Sequence, residues 1–336
     1  MKAIGYTSAG PVDRPDALVE RDIAARTAAG HDLLVRVAAV SVNPVDTKVR
    51  QNSPPADGFR VLGFDAVGTV EAVGEAVTLF KPGDHVWYAG SILRPGSNAE
   101  LQLVDERIVG PAPKSLSAAE AAALPLTAIT AWEMLFDRFD VGRAVAGGNR
   151  TILIIGGAGG VGSIAIQLAK RVAGMTVIAT ASRPATAEWV RAMGADHVVD
   201  HSKPLAAEVA ALGIGAPGFV FSTTETERHF DEIAELIAPQ GKLGVISGIG
   251  NSRADKLSGK SVAICYELMF TRSNVGAPDL IEQHKLLAEV ARLVDAGVIN
   301  TTVGEHFGRI TPEHLRKAHA LVESGTARGK VVLEGF

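Results

Sequence analysis

"TILIIGGAGGVGS", residues 151–163, is an apolar, β-branched run that breaks into glycines and then resumes with helical spacing. Gly157, Gly159 and Gly162 stand in the spacing G-x-G-x-x-G, between a predicted strand and a predicted helix that starts near Val161. In that setting one glycine permits a tight turn, one lets the backbone approach a pyrophosphate, and one lets the helix pack on the strand. The helix N-terminus, with Gly160 and Val161 in its first turn, adds unpaired N–H groups and a positive dipole end. The segment therefore reads as the phosphate grip of a dinucleotide site, with ordinary loop glycines as the alternative.

Outward from this turn the pattern supports the same fold. Strand-like runs at TVIATA, DHVVD, GFVFST and KLGVIS alternate with helical stretches such as ATAEWVRAMGA and ERHFDEIAELIA, the signature of βαβ units and a parallel sheet. Before it, HDLLVRVAAVSVN, FRVLGFDAVGTVEAVG, DHVWYAG and AELQLVDERIVG are short runs cut by Gly, Pro and Asp, as in a β-rich unit. SAAEAAAL, residues 117–124, opens a helical region with capping-box spacing. Helices are predicted over 279–296 and 312–324, followed by the strand KVVLEG. The expected fold class is α/β: a β-rich module followed by a doubly wound dinucleotide module. No long linker separates the two, so a cleft between them is expected.

Bulk properties remove several function classes. The 336 residues are 47% apolar and 21% charged, ordinary globular composition with room for two cores. A net charge of -4 without a basic cluster argues against nucleic acid as a partner. No apolar stretch nears the ~20 residues of a spanning helix, and the first residues lack a signal-type hydrophobic block, so no membrane partner and a cytoplasmic location are expected. Cys265 is the only cysteine, which excludes an internal disulfide and a cysteine-rich zinc site.

The end of the next strand, roughly 20 residues past the turn, decides the dinucleotide, because an acid there would bind the ribose 2′-hydroxyl of NAD. Ala181, Ser182 and Arg183 stand there instead. An acid would repel a 2′-phosphate, whereas a hydroxyl and a guanidinium can hold one. The expected coenzyme is NADPH with Arg183 as anchor; a solvated surface arginine is the alternative.

The segments SVNPVD, LGFDAVGTVEAVGEAVTLFKPGDHVW, AAALPLTAITAWEML, GGAGGVGSIAIQLAK and RGKVVL resemble the medium-chain dehydrogenase/reductase superfamily over essentially the whole chain. Within it the chain is most similar to the zinc-independent quinone-oxidoreductase-like group, often labelled zinc-type alcohol dehydrogenase-like. The resemblance implies a doubly wound Rossmann domain, residues 125–271, inserted in a β-rich GroES-like catalytic domain built from 1–124 and 272–336. Zinc-dependent relatives carry a cysteine ligand in the loop matching SVNPVDTK and a His-Glu pair matching Phe64-Asp65. Here neither the cysteine nor the histidine is present, and phenylalanine cannot ligate. No metal is expected. Without a Lewis acid, alcohol oxidation is disfavoured, while quinones and α,β-unsaturated carbonyls accept hydride with less help.

By resemblance, Asn43 lies near the nicotinamide and orients its carboxamide or donates to the substrate oxygen, unless it only opens an Asn-Pro turn. Thr130 and Ser247 match nicotinamide contacts, and His201 stands where related NADPH enzymes place a tyrosine near the adenosine phosphate. Lys330 is a candidate phosphate or cofactor contact, or a strand-end lysine. Phe64, Tyr88 and Phe270 are candidate walls for a flat conjugated substrate, and Tyr88 is the one titratable proton donor among them. SVAICYEL, residues 261–268, resembles the edge strand through which relatives form homodimers. Two other readings stay open: a zinc-free alcohol or carbonyl oxidoreductase, and a non-catalytic NADPH-binding sensor or interaction protein.

Overall fold

The computed structural model describes residues 1–250 and 254–336. The chain divides into two compact units, Met1–Ile129 with Phe270–Phe336, and Thr130–Met269. The first division falls inside the helix Pro125–Trp132, a few residues beyond the compositional boundary. The fold class is the expected one, a doubly wound α/β unit inserted in a β-rich unit.

In the inserted unit six parallel strands lie in the order His197–Val199, Thr176–Thr180, Asn149–Ile155, Pro217–Ser222, Lys242–Val245, Ala263–Tyr266. Counted in chain order this is 3-2-1-4-5-6, the doubly wound arrangement whose switch point lies beside its first strand. That strand is apolar without alternation because both faces are covered: Ile152, Leu153, Ile154 and Ile155 are all buried. Leu153, Ile155, Val220, Leu243 and Val245 share one core cluster with Phe230 and Ile233 of the helix Thr226–Leu236. Since all strands run the same way, the segments that follow them gather at one edge of the sheet. Among the described residues the last strand pairs with one neighbour, and beside its other edge Tyr266 and Leu268 are 59% and 56% exposed.

Behind that strand lies a buried acid pair that the sequence does not announce. After Trp132 the helix widens to π-type turns over Glu133–Arg138, with the Phe139 N–H bonded to the Met134 carbonyl. Glu133 and Arg138 meet Glu267, whose carboxylate lies 2.9 Å from the Arg138 Nε. Burial, then the hydrogen bond and charge of Glu133, push Glu267 up to about 8 from its ordinary 4.5. Folding therefore holds a proton that the unfolded chain releases, and stability falls as pH rises from the ordinary carboxylate range towards 8. Each pH unit across that window costs at most about 1.4 kcal/mol per proton. Glu267→Gln keeps the shape of the protonated acid, so the melting temperature of the variant should match wild type at pH 5 and exceed it at pH 8. A difference that stays constant with pH would contradict this.

The β-rich unit is organised by the eleven-residue strand Asp32–Val42, which pairs antiparallel with Ala66–Val73, Leu101–Asp105 and Lys330–Glu334. These belong to a seven-stranded sheet, and a three-stranded sheet joins Val19–Asp22, Lys2–Tyr6 and Arg60–Val61. Val331 pairs with Val42, a register that sets Lys330 beside Asn43. Asn43 ends the long strand and caps the helix Pro44–Asn52; Pro44, which has no N–H to satisfy, opens that helix. Among the described residues no helix is long and apolar enough to cross a membrane.

Candidate functional site

Two groups of side chains, one in each unit, carry the expected chemistry. In the inserted unit the glycine turn follows the strand Asn149–Ile155. Gly156 has φ +79°, and a Cβ there would lie 2.4 Å from the Thr223 Oγ1. At Gly157 a Cβ would come within 2.9 Å of the Ala179 Cβ on the neighbouring strand, and at Gly162 within 2.3 Å of the Gly156 carbonyl. These positions exclude side chains so that turn, strand and helix can touch. Gly159 caps the helix Gly160–Gln167, and the first intrahelical bond from its carbonyl is taken by the Ser163 N–H at 2.9 Å. The N–H groups of Gly160, Val161 and Gly162 precede that bond and have no acceptor within the helix. The Thr180 hydroxyl accepts from the Gly156 N–H at 3.0 Å, and the Thr223 hydroxyl donates to the Ile155 carbonyl at 2.8 Å. These bonds hold the turn in place.

Beside it, Ser182 and Arg183 are exposed at the end of the second strand, with no carboxylate among residues 181–183. Ser247, just past the strand Lys242–Val245, lies 3.4 Å from the Thr226 hydroxyl. His201 follows the strand His197–Val199, and its buried Nδ1 has no hydrogen-bond partner among the described residues. Thr130 is buried in the helix Pro125–Trp132. Every strand end from the first to the fifth thus contributes to one edge of the sheet. Arg228 and His229, on the first turn of the helix Thr226–Leu236, join His201 there without any motif spacing to give them away: the His201 and His229 rings meet edge to face at 6.2 Å.

In the β-rich unit Asn43, Asp46, Asp65 and Lys330 form a buried polar network. The Asn43 amide donates to the Asp65 Oδ2 at 2.7 Å and to the Phe64 carbonyl at 3.2 Å, and its Oδ1 accepts from the Lys330 ammonium. Lys330 also donates to the Val42 carbonyl at 2.9 Å and lies 3.3 Å from the Asp65 Oδ2. Asp65 further accepts from the Ser41 hydroxyl and the Leu126 N–H, both at 2.7 Å. With four donors aimed at it, Asp65 acts as an ionised acceptor even though burial raises its proton affinity. Asp46 accepts from the N–H groups of Asn43 and Gly63 at 2.8 and 2.9 Å, and burial pushes it up to about 7 against those bonds. Lys330 feels the opposite effect, its ammonium disfavoured by burial and favoured by Asp65 and Asp46.

This geometry changes three expectations. Asn43 spends both amide protons inside the unit, so it positions Asp65 and the Phe64 backbone rather than donating to a ligand. Lys330 is the counter-charge of two buried carboxylates, and its protons are committed to neighbours rather than to a phosphate. Tyr88 is fully buried, its hydroxyl has no partner among the described residues, and burial raises its proton affinity well above the ordinary phenol value. Such a phenol is a poor acid, and the proton-donor role finds no support. Phe64 and Phe270 are both buried and pack edge to face at 5.4 Å. Asp46 is the residue whose structural part was least visible beforehand, although its spacing from Asn43 is that of a cap and its third helical residue.

Residues 29–114 match the family model for the alcohol dehydrogenase GroES-like domain, and residues 160–292 match that for zinc-binding dehydrogenases. A zinc-type alcohol dehydrogenase-like protein of Staphylococcus aureus is 43% identical over 335 residues, covering 99% of each chain. The chain belongs to the medium-chain dehydrogenase/reductase superfamily. A crystal structure of a Rhizobium etli protein described as a putative zinc-dependent alcohol dehydrogenase shares 59% identity and a TM-score of 0.98, covering 100% of this chain and 98% of that one. A Pseudomonas syringae quinone oxidoreductase superposes with a TM-score of 0.83 at 25% identity, covering 99% of both. The NADPH-dependent alkenal/one oxidoreductase of Arabidopsis thaliana chloroplasts is 37% identical over 212 residues, which is 60% of this chain and 53% of that protein. This member of the superfamily is an NAD(P)-dependent oxidoreductase, and its glycine turn fits that coenzyme class: Gly156, Gly157 and Gly162 exclude side chains, and the N–H groups that follow have no acceptor within the helix. Among its described residues no three His, Cys, Asp or Glu side chains are grouped to hold a metal ion.

Proposed function

We propose that this oxidoreductase transfers hydride from NADPH to a quinone or an α,β-unsaturated carbonyl, without zinc. The observation that carries the coenzyme half is Arg183, exposed at the end of the second strand beside a hydroxyl and no acid. A guanidinium there pairs with a 2′-phosphate and gives the unphosphorylated coenzyme no equivalent contact. The N–H groups of Gly160, Val161 and Gly162 would hold the pyrophosphate. Bound NADPH supplies a hydride; the chain supplies its orientation and the surroundings of the acceptor.

The acceptor half rests on the donor set in the β-rich unit. A catalytic zinc needs three protein donors and an open position. Phe64 offers no donor atom, the Asn43 amide is bonded inward, and Asp65 is saturated by four donors. The one buried cation of this network is an ammonium, which holds a carboxylate but has no free orbital with which to polarise an alcohol oxygen. These residues do not fit zinc. A conjugated acceptor spreads the incoming charge onto its own oxygen and needs no Lewis acid, and the alkenal/one oxidoreductase among the relatives supports that class.

After dialysis against EDTA, the protein should oxidise NADPH with quinones and enones at undiminished rates, read by absorbance at 340 nm, and leave simple aldehydes nearly untouched. Turnover confined to aldehydes and alcohols, and lost with the chelator, would overturn the proposal.

A further inference from the structure

The edge of the parallel sheet that carries Arg183 also carries two imidazoles that the hydride reaction does not use. His201 comes from the end of the third strand, His229 from the first turn of the helix Thr226–Leu236, and their rings are in contact. The guanidinium groups of Arg183 and Arg228 are both near enough to act on His201. The groups facing the pair are therefore Arg183, Arg228 and Asp200 at His201, and Arg228, Glu225 and Glu232 at His229. Two of the three acids are engaged with the backbone: Asp200 accepts from the Ser202 N–H and hydroxyl, and Glu232 from the Ala206 N–H. The buried Nδ1 of His201 has no partner among the described residues.

We propose that His201 and His229, with Arg228, form a proton-linked half of the coenzyme phosphate seat, so that binding of the 2′-phosphomonoester is accompanied by proton uptake. This rests on the NADPH reading above. Before binding, burial disfavours the charged form of both imidazoles, reinforced by Arg228 and Arg183 at His201 and by Arg228 and the neighbouring His201 at His229, so both are neutral near pH 7. A phosphate dianion brought beside them reverses the local potential, and one proton is taken up and shared by the pair as a coupled unit. The ligand alone would do the opposite. With a second ionisation near 6, a phosphomonoester still partly protonated at pH 7 releases protons when it binds as a dianion. The sign of proton exchange therefore separates the protein's contribution from the ligand's.

The probe is adenosine 2′,5′-bisphosphate, with adenosine 5′-monophosphate as control, titrated calorimetrically at pH 7 in buffers of different ionisation enthalpy. The bisphosphate should bind with net proton uptake and the monophosphate without it. Between pH 7 and 8.5 bisphosphate affinity should fall several-fold, up to about tenfold per pH unit where a full proton is linked. His201→Gln with His229→Gln should abolish the uptake and weaken bisphosphate binding several-fold more than monophosphate binding. Tighter binding of the bisphosphate with proton release or no exchange, or uptake that survives both substitutions, would overturn the proposal while leaving the coenzyme assignment intact. A bisphosphate bound no tighter than the monophosphate would overturn both.

Discussion

Replacing Lys330 by methionine should destabilise the β-rich unit by about 3–5 kcal/mol, the cost of leaving a buried carboxylate without its counter-charge. Asp65 has no exposed surface, and Lys330 is the only cation within ion-pair distance of it among the described residues. Methionine fills the space of the lysine stem but returns nothing to the Val42 carbonyl, the Asn43 Oδ1 or the Asp65 carboxylate. The loss should be greatest above neutral pH, where Asp65 and Asp46 are driven to ionise, and smaller in acid, where each can take a proton. Adding Asp65→Asn to Lys330→Met should recover part of the stability, because the uncompensated charge is then gone. Urea unfolding followed by circular dichroism reads both effects. A loss under about 1 kcal/mol, the range of exposed ion pairs, would mean that Lys330 does not carry the charge balance assigned to it.

This network was poorly legible beforehand for a physical reason. Asn43 contacts Asp65 and Lys330, which lie 22 and 287 residues away along the chain. Only the sheet registers, Val42 opposite Val331 and Val40 opposite Ala66, bring them together, and register is a tertiary property. The cationic edge is similar: Arg183 could be picked out by its distance from the glycine turn, but Arg228 and His229 arrive there through a helix crossover that no spacing encodes. The widening at Glu133–Arg138 depends on backbone bonding that side-chain periodicity does not report.

What periodicity could report, it reported well. Apolar runs alternating with amphipathic stretches pointed to a parallel sheet and to five of its six strands, the sixth coming from the resemblance, and the glycines at 157 and 162 are held where side chains would collide with the next strand or with backbone. The edge of the sheet was therefore foreseeable, while the commitments of individual protons within the β-rich unit were not. Asn43 and Lys330 are identifiable as polar residues of interest from sequence; whether they face a ligand or each other is decided by burial.

Arg183→Asp carries the second large effect. In the proposed seat the guanidinium forms a charge-assisted pair with the 2′-phosphate, and an aspartate replaces that attraction with repulsion. The position is exposed, next to the strand Thr176–Thr180, so the substitution should leave the melting temperature close to wild type. Its carboxylate can instead accept from the 2′-hydroxyl of NADH. We expect kcat/KM with NADPH to fall by about a hundredfold or more, roughly 2.7 kcal/mol of lost interaction, with NADH changed by no more than about threefold.

The central claim is that a cation at the end of the second strand selects the phosphorylated coenzyme. The ratio of kcat/KM for NADPH over NADH, measured with one enone for wild type and Arg183→Asp, tests it most directly. The ratio should lie well above one in wild type and collapse by at least two orders of magnitude in the variant, a range set by the loss of one charge-assisted contact and its replacement by repulsion. A wild-type ratio below one, or equal losses with both coenzymes, would contradict it.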